Sequence, residues 1–221
     1  MMITNLLTTY ANAAPLLAQG LCMTLQCWIA ALCIALPLGA LWGILRCNQL
    51  AQPIVCNALD VFTFMLRGIP FYVQLLVAYF VLPALFNIDI PASLAAAGSL
   101  GICSAAYVSQ IVKAGINAID PYQWEAAYVL GYSTSQTLRF IILPQAFKNV
   151  LPAIIGECDQ LLKTTAVFST IGILDLMGVG KNIVAQELNP LSIYSLIALL
   201  YLGLSSLLSF ASAVVEKKEQ A

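Results

Sequence analysis

The chain has 221 residues, of which 61% are hydrophobic and 9% charged, and its mean hydropathy is +0.91. Soluble domains carry about 25% charged residues, so this chain cannot cover a water-facing surface, and both a soluble globular enzyme and a disordered chain are excluded. A net charge of -1 with no dense basic run gives nucleic-acid binding no electrostatic support. Histidine is absent, which removes the commonest metal ligand and the commonest general base. The seven cysteines include no CxxC pair and read as small buried hydrophobes. No catalytic or metal site is expected.

A helix needs about 20 apolar residues to cross the hydrocarbon core. No Asp, Glu, Lys or Arg precedes Arg46, and a first span is expected over residues 16–45. It has no basic leader segment and its apolar run is too long for a signal peptide, so it reads as a retained helix. Arg67 stands alone before a second uncharged stretch, Gly68 to Ile88, and a third follows from Ile90 to Val112. Beside Arg67 lies Gly68-Ile69-Pro70, where the proline frees backbone carbonyls and kinks a span. Three fates are open to Arg67: it meets a substrate carboxylate, pairs with Asp60, or snorkels to the inner surface. Gln74, one heptad on, shares its helical face.

The longest polar connection, about residues 117–144, separates the third and fourth spans. Asp120-Pro121 is suited to N-cap and first helical residue, with Gln123 at the position of a capping-box partner. Gly131 suits the left-handed residue that ends such a helix. Ser133 and Gln136 then form an S-x-x-Q box opening a second short helix that is expected to run to Pro144. On the first helix, Ala126 and Ala127 permit close approach by another body, and Trp124 and Tyr128 stand beside them as aromatic anchors of the kind enriched at interfaces. A docked protein partner is the favoured reading over a helix that only lies on the membrane surface.

The fourth span, Phe140 to Ile173, is interrupted by Lys148, Glu157, Asp159 and Lys163. An ionisable side chain inside a span costs roughly 2.5–3.5 kcal/mol on insertion scales and is a functional candidate by default. Asp159 and Lys163 are spaced i,i+4 with the acid first, the better ion-pair order. Glu157 has no local partner, and Thr164 and Thr165 add hydroxyls. An amino acid offers an ammonium and a carboxylate, and a span carrying both signs can receive each. The alternative is a structural Asp159–Lys163 pair, with Glu157 facing a sister subunit or water. A fifth span runs from Leu188 to Val215.

With the N-terminus outside, Arg46, Lys113, Arg139, Lys148, Lys217 and Lys218 fall on the cytoplasmic side and Lys181 outside, which fixes the expected orientation. The expected fold is an all-α integral membrane protein, one domain over residues 1–221. It has five transmembrane helices, the N-terminus outside, the C-terminus cytoplasmic, and a cytoplasmic helix between spans three and four.

Glu125-Ala126-Ala127, then Gly131, then Ile141-x-Leu143-Pro144 resemble the EAA loop of binding-protein-dependent ABC importer permeases, with every fixed position met. Leu66-Arg67-Gly68-Ile69-Pro70 with Gln74, Ala106-Tyr107 leading into Ile111-Val112-Lys113-x-Gly115-Ile116, and Leu161-Leu162-Lys163-x-Thr165 are similar to the polar amino-acid branch of that family. Ile69 stands where Thr is common and Thr164 where Asp is common.

The resemblance implies that Trp124, Glu125, Ala126, Ala127 and Gly131 belong to a coupling helix seated in a cytoplasmic ATPase subunit. It also implies a second permease subunit, identical or not, an extracytoplasmic amino-acid-binding protein, and a place in the bacterial inner membrane. The chain has no GxxxxGK[ST] loop, so ATP and Mg are expected on the separate ATPase, and this chain is expected to bind no cofactor and to be no enzyme. Arg67, Gln74, Glu157, Asp159, Lys163, Thr164 and Thr165 are the candidates for the substrate path. The rival readings are a passive channel and a membrane-embedded enzyme. The enzyme lacks HExxH, GxSxG or any metal cluster, and a channel would not need ATP.

Overall fold

The computed structural model describes the backbone of residues 2–50 and 52–219, and the side chains of 13–50, 52–214 and 217. Met1, Gln220 and Ala221 of the expected domain, and the side chain of Lys218, lie outside that description. Among the described residues the chain is helical, without strands. The helices are α1 (Met2–Leu45), α2 (Pro53–Gly68), α3 (Phe71–Phe86), α4 (Ala92–Asn117), α5 (Pro121–Val129), α6 (Thr134–Ile171), α7 (Leu176–Glu187) and α8 (Pro190–Glu219).

Among the described residues, four stretches are long and apolar enough to cross a membrane: Ala13–Leu45, Ala92–Asn117, Thr134–Ile171 and Pro190–Val214. A fifth exists only if α2 and α3, bent by 100°, together form one broken span. The stretch from Gly68 to Ile88, expected to span the membrane with a kink at Pro70, thus holds only the second helix of this pair, and the kink is a full break. Pro70 has no N–H and forces the residue before it out of helical geometry, so Ile69 is extended at φ -94° and ψ 129°. The polar stretch ahead of the break, which carries Asp60 and Arg67, is itself the helix α2.

Both α3 and α6 contain a widened, π-type turn, Val77–Val81 and Leu138–Ile142. Each ends two residues before a proline, Pro83 or Pro144. A helix-interior proline clashes with the carbonyl four residues earlier, and an extra residue in the turn relieves the clash. Leu82 N–H reaches back to Val77 O, and Leu143 N–H to Leu138 O, in the wider register. The short helix expected to stop at Pro144 is thus the first part of α6, which continues through the proline.

α1 and α4 pack most closely, and glycine permits it. Gly39 and Gly43 lie one turn apart on α1. A Cβ on Gly39 would sit 2.5 Å from Val108, and one on Gly43 would sit 2.6 Å from Val112. Gly101 of α4 answers in kind, since its Cβ would meet Ile34 at 2.7 Å. Small residues at helical spacing let two backbones approach inside a membrane, where van der Waals contact replaces the hydrophobic effect as the driving force. Gly39→Leu is expected to destabilise the detergent-solubilised protein by about 1–3 kcal/mol or more, because the β-branched Val108 cannot swing away. Thermal unfolding checks this, and Val108→Ala is expected to restore part of the loss.

Three apolar clusters follow α1 along its length. Ala13 and Leu17 pack with Leu176, Ile183, Ile193 and Ile197 at one end. Cys27, Ala31 and Ala35 meet Leu75, Leu100, Leu161 and Phe168 in the middle. Cys47 packs with Ile116, Trp124, Ile142 and Ala146 at the other end. Trp28 Nε1 donates to the Cys158 carbonyl at 2.9 Å and ties α1 to α6.

Between α6 and α7 the chain turns through Gly172, at φ +85°. Asp175, fully buried, caps α7 by accepting from Gly178 N–H at 2.8 Å, and Thr24 Oγ1 accepts from Leu176 N–H at 3.0 Å. Desolvation raises the Asp175 carboxyl from 3.8 to about 6, opposed by the α7 backbone N–H groups and by Lys181. A carboxyl whose pKa is raised by folding contributes stability fully below its unfolded value, and that contribution is lost as pH rises through the folded one. From pH 4 to pH 7 the stability of the wild type is therefore expected to fall by on the order of 3 kcal/mol relative to Asp175→Asn. Unfolding midpoints of the two proteins across that range check the sign.

Candidate functional site

The break between α2 and α3 lies against α4 and α6, and the four helices enclose a cavity of about 410 Å³. Arg67, Pro70 and Phe71 come from the break, Ser104 and Tyr107 from α4, and Glu157, Gln160 and Thr164 from α6. One base and one acid thus line the same space, from segments far apart in sequence. Tyr107 lies within electrostatic reach of both Arg67 and Glu157. A volume in the range of small-molecule sites, mostly apolar walls and a few convergent polar groups are what a small polar ligand requires.

The structure narrows the fates open to Arg67. Asp60 is engaged by the Nε and Nη2 of Arg46 and by Lys113 at 3.5 Å, so it is Arg46 that takes the expected pairing. Arg67 Nε donates to the Thr63 carbonyl at 3.2 Å, and Arg67 lines the cavity. Gln74 does not line the cavity. Its amide donates to the carbonyls of Leu66 at 2.6 Å and Ile69 at 2.8 Å, the groups released by the break. Backbone acceptors freed at membrane depth must find donors, and Gln74 supplies them.

Among the polar residues of α6 the structure makes a sharp division. Lys163 Nζ donates to Asp159 Oδ2 at 2.5 Å, the i,i+4 pair expected from spacing. Asp159 borders a different cleft, shared with Leu208, Ser209 and Ala213 of α8. Glu157 and Thr164 face the charged cavity, and Thr164 Oγ1 also donates to the Gln160 carbonyl at 2.8 Å. Thr165 is fully buried and donates to the Leu162 carbonyl at 2.7 Å. The cavity thus gathers Arg67, Glu157 and Thr164 from the expected set. It adds Ser104, Tyr107 and Gln160, none of them among the expected substrate-path candidates.

The helix of the loop is built as its local chemistry dictates. The Asp120 carboxylate accepts from Tyr122 N–H at 2.9 Å, and Pro121 opens the helix. The complete capping box stands at Ser133 and Gln136, and Gln123 does not form one with Asp120. Gly131, at φ +84°, places its N–H on Tyr128 O and that of Tyr132 on Ala127 O, each at 3.0 Å, which is the paired closure of a left-handed helix end.

One expectation about this helix is corrected. Trp124 is 4% exposed and packs on Cys47, Ile116 and Ile142 of its own chain, and Ala127 is buried with it. They anchor the helix to the bundle because its two ends are fixed by caps that turn that face inward. The outward face is Tyr122, Glu125, Ala126, Tyr128, Val129 and Leu130, with Val129 88% and Leu130 73% exposed. Large apolar side chains this exposed on a capped helix make this face a candidate surface for another protein.

Over residues 35–220 the chain matches the family described as binding-protein-dependent transport system inner membrane component. It is 37% identical over 204 residues, 92% of either chain, to the arginine transport system permease protein ArtQ of Bacillus subtilis. To the glutamine transport system permease protein GlnP of Escherichia coli it is 34% identical over 209 residues, 93% of this chain and 94% of that one. Its fold is similar to the crystal structure of an amino acid ABC transporter with histidines, at a TM-score of 0.87 and 32% identity, covering 96% of this chain and 97% of that one. The inward-facing MetNI methionine ABC transporter shares the fold, at a TM-score of 0.72 and 22% identity. An extended family match and relatives aligned over more than nine-tenths of their length agree, and the chain belongs to the binding-protein-dependent transport system inner membrane component family.

Proposed function

We propose that the chain is the membrane-spanning subunit of an ATP-driven amino-acid importer of the bacterial inner membrane, and that its substrate passes through the cavity lined by Arg67 and Glu157. The observation that carries this reading is the placement of one base and one acid in a single cavity of about 410 Å³ between the helices. An amino acid presents a carboxylate and an ammonium, and each finds a group of opposite sign. The arginine and glutamine transport named for the relatives supports a polar amino acid.

On this reading the chain forms one transmembrane domain with five spans, α2 and α3 together making the broken second one. The N-terminus lies outside, so α5 faces the cytoplasm and α7 the outer side. The exposed face of α5 seats in an ATPase subunit that binds ATP and Mg, an extracytoplasmic binding protein delivers the substrate, and a second permease subunit completes the gated path. Five spans in one copy are too few to enclose it. ATP-driven closure of the ATPases moves α5, and the rigid closure at Gly131 passes that motion to α6.

The test is reconstitution in proteoliposomes with the ATPase and the binding protein. Labelled L-arginine or L-glutamine is expected to accumulate only with ATP. Flux that runs equally without ATP would identify a channel instead.

A further inference from the structure

We infer that Gln110 is a positioning residue that aims Arg67 into the cavity, an inference that rests on the reading of Arg67 as the group that binds substrate carboxylate. Gln110 lies on α4, between the break and the ion pair at the end of α1. With its amide oxygen toward the two guanidiniums it accepts from Arg46 Nη2 at 2.8 Å and from Arg67 Nη2 at 2.9 Å. The reverse orientation would set its amide N–H groups against two cations that can only donate, so the hydrogen-bond inventory selects this one.

The base on which Gln110 stands is fixed. Arg46 is 2% exposed, donates from Nε and Nη2 to the Asp60 carboxylate, and donates from Nη1 to Ser109 Oγ at 2.8 Å. Lys113, a turn beyond Gln110, lies 3.5 Å from the same carboxylate. Arg67 is thereby held at two points, Nε on the Thr63 carbonyl and Nη2 on Gln110. Among the described residues nothing else accepts from Arg67, which leaves both N–H groups on Nη1 and one on Nη2 for a ligand.

A free arginine side chain samples many rotamers, and bidentate recognition of a carboxylate needs the guanidinium plane held in place. A neutral amide meets that need in a way that an acid does not. Glu at this position would hold Arg67 equally well but would cancel the charge that attracts the substrate.

Equilibrium binding to the purified permease–ATPase complex tests the assignment. The ligands are L-arginine with its decarboxylated counterpart agmatine, and L-glutamine with 4-aminobutanamide, using the pair whose amino acid the wild type binds. Gln110→Leu is expected to weaken binding of the amino acid at least tenfold and to leave the decarboxylated ligand within twofold. Gln110→Asn keeps an amide beside Arg46 but is a methylene too short to span both guanidiniums, and is expected to show the same selective loss. Equal loss for both ligands, or wild-type binding in both variants, overturns the positioning role. Arg67→Met separates the two levels. If it binds the amino acid like the wild type, or if the wild type binds neither amino acid, the cavity reading itself fails. If Arg67→Met loses the amino acid selectively and the Gln110 variants do not, only the positioning role fails.

Discussion

Glu157→Gln is expected to lower ATP-driven amino-acid uptake about ten- to a hundredfold while the protein remains inserted and as thermally stable as the wild type. The acid faces the cavity rather than a basic partner within α6, so its removal deprives the substrate ammonium of a charged contact worth roughly 1.5–3 kcal/mol. The neighbouring pair should behave in the opposite way. Asp159→Asn or Lys163→Met breaks an ion pair that borders another cleft, so either change should lower stability and leave apparent substrate affinity unchanged. The double variant should recover part of that stability. Uptake kinetics and thermal unfolding of the four proteins, measured side by side, distinguish the two roles.

Gly131→Val is expected to abolish ATP-driven uptake while substrate binding in the cavity persists. Among the described residues, beyond its chain neighbours, no atom lies within 4 Å of a Cβ at this position, so the effect is conformational: φ is +84°. A β-branched residue there costs roughly 1–2 kcal/mol and opens the closure that holds α5 against α6. Gly131→Asn, which tolerates the left-handed region, should retain much of the coupling. Comparison of ATP hydrolysis with uptake in proteoliposomes reads the difference as hydrolysis without transport.

What was legible in the sequence was local. The caps at Asp120 and Ser133, the left-handed Gly131 and the Asp159–Lys163 pair each depend on residues within about one helical turn, and each stands as spacing implies. The EAA pattern likewise lies in one short segment. Pro70 announced a disturbed span, but whether it bends or ends the helix depends on what packs around it, and a 100° break was not legible.

Trp124 shows the limit most clearly. An aromatic residue on a short helix has the same local signature whether it meets a partner subunit or its own chain. Only the distant Cys47 and Ile142 decide that it is core. Val129 and Leu130 become surface features for the same reason. The convergence of Arg67 and Glu157 was also hidden, because helix packing alone joins residues so far apart in the chain. Gln74 shared a face with Arg67 in a continuous helix, and the break at Pro70 removed that face.

We place the transported amino acid in the Arg67–Glu157 cavity, and site-directed thiol labelling tests that placement most directly. In a cysteine-free background, Thr164→Cys places a thiol on the cavity wall, and Asp159→Cys places one on the other cleft, two positions of the same helix. Reaction with a small methanethiosulfonate reagent is followed in the permease–ATPase complex with and without millimolar amino acid. With the amino acid in that cavity, labelling at position 164 is expected to slow at least severalfold and position 159 to remain unchanged. Protection at 159 with none at 164 would contradict that placement.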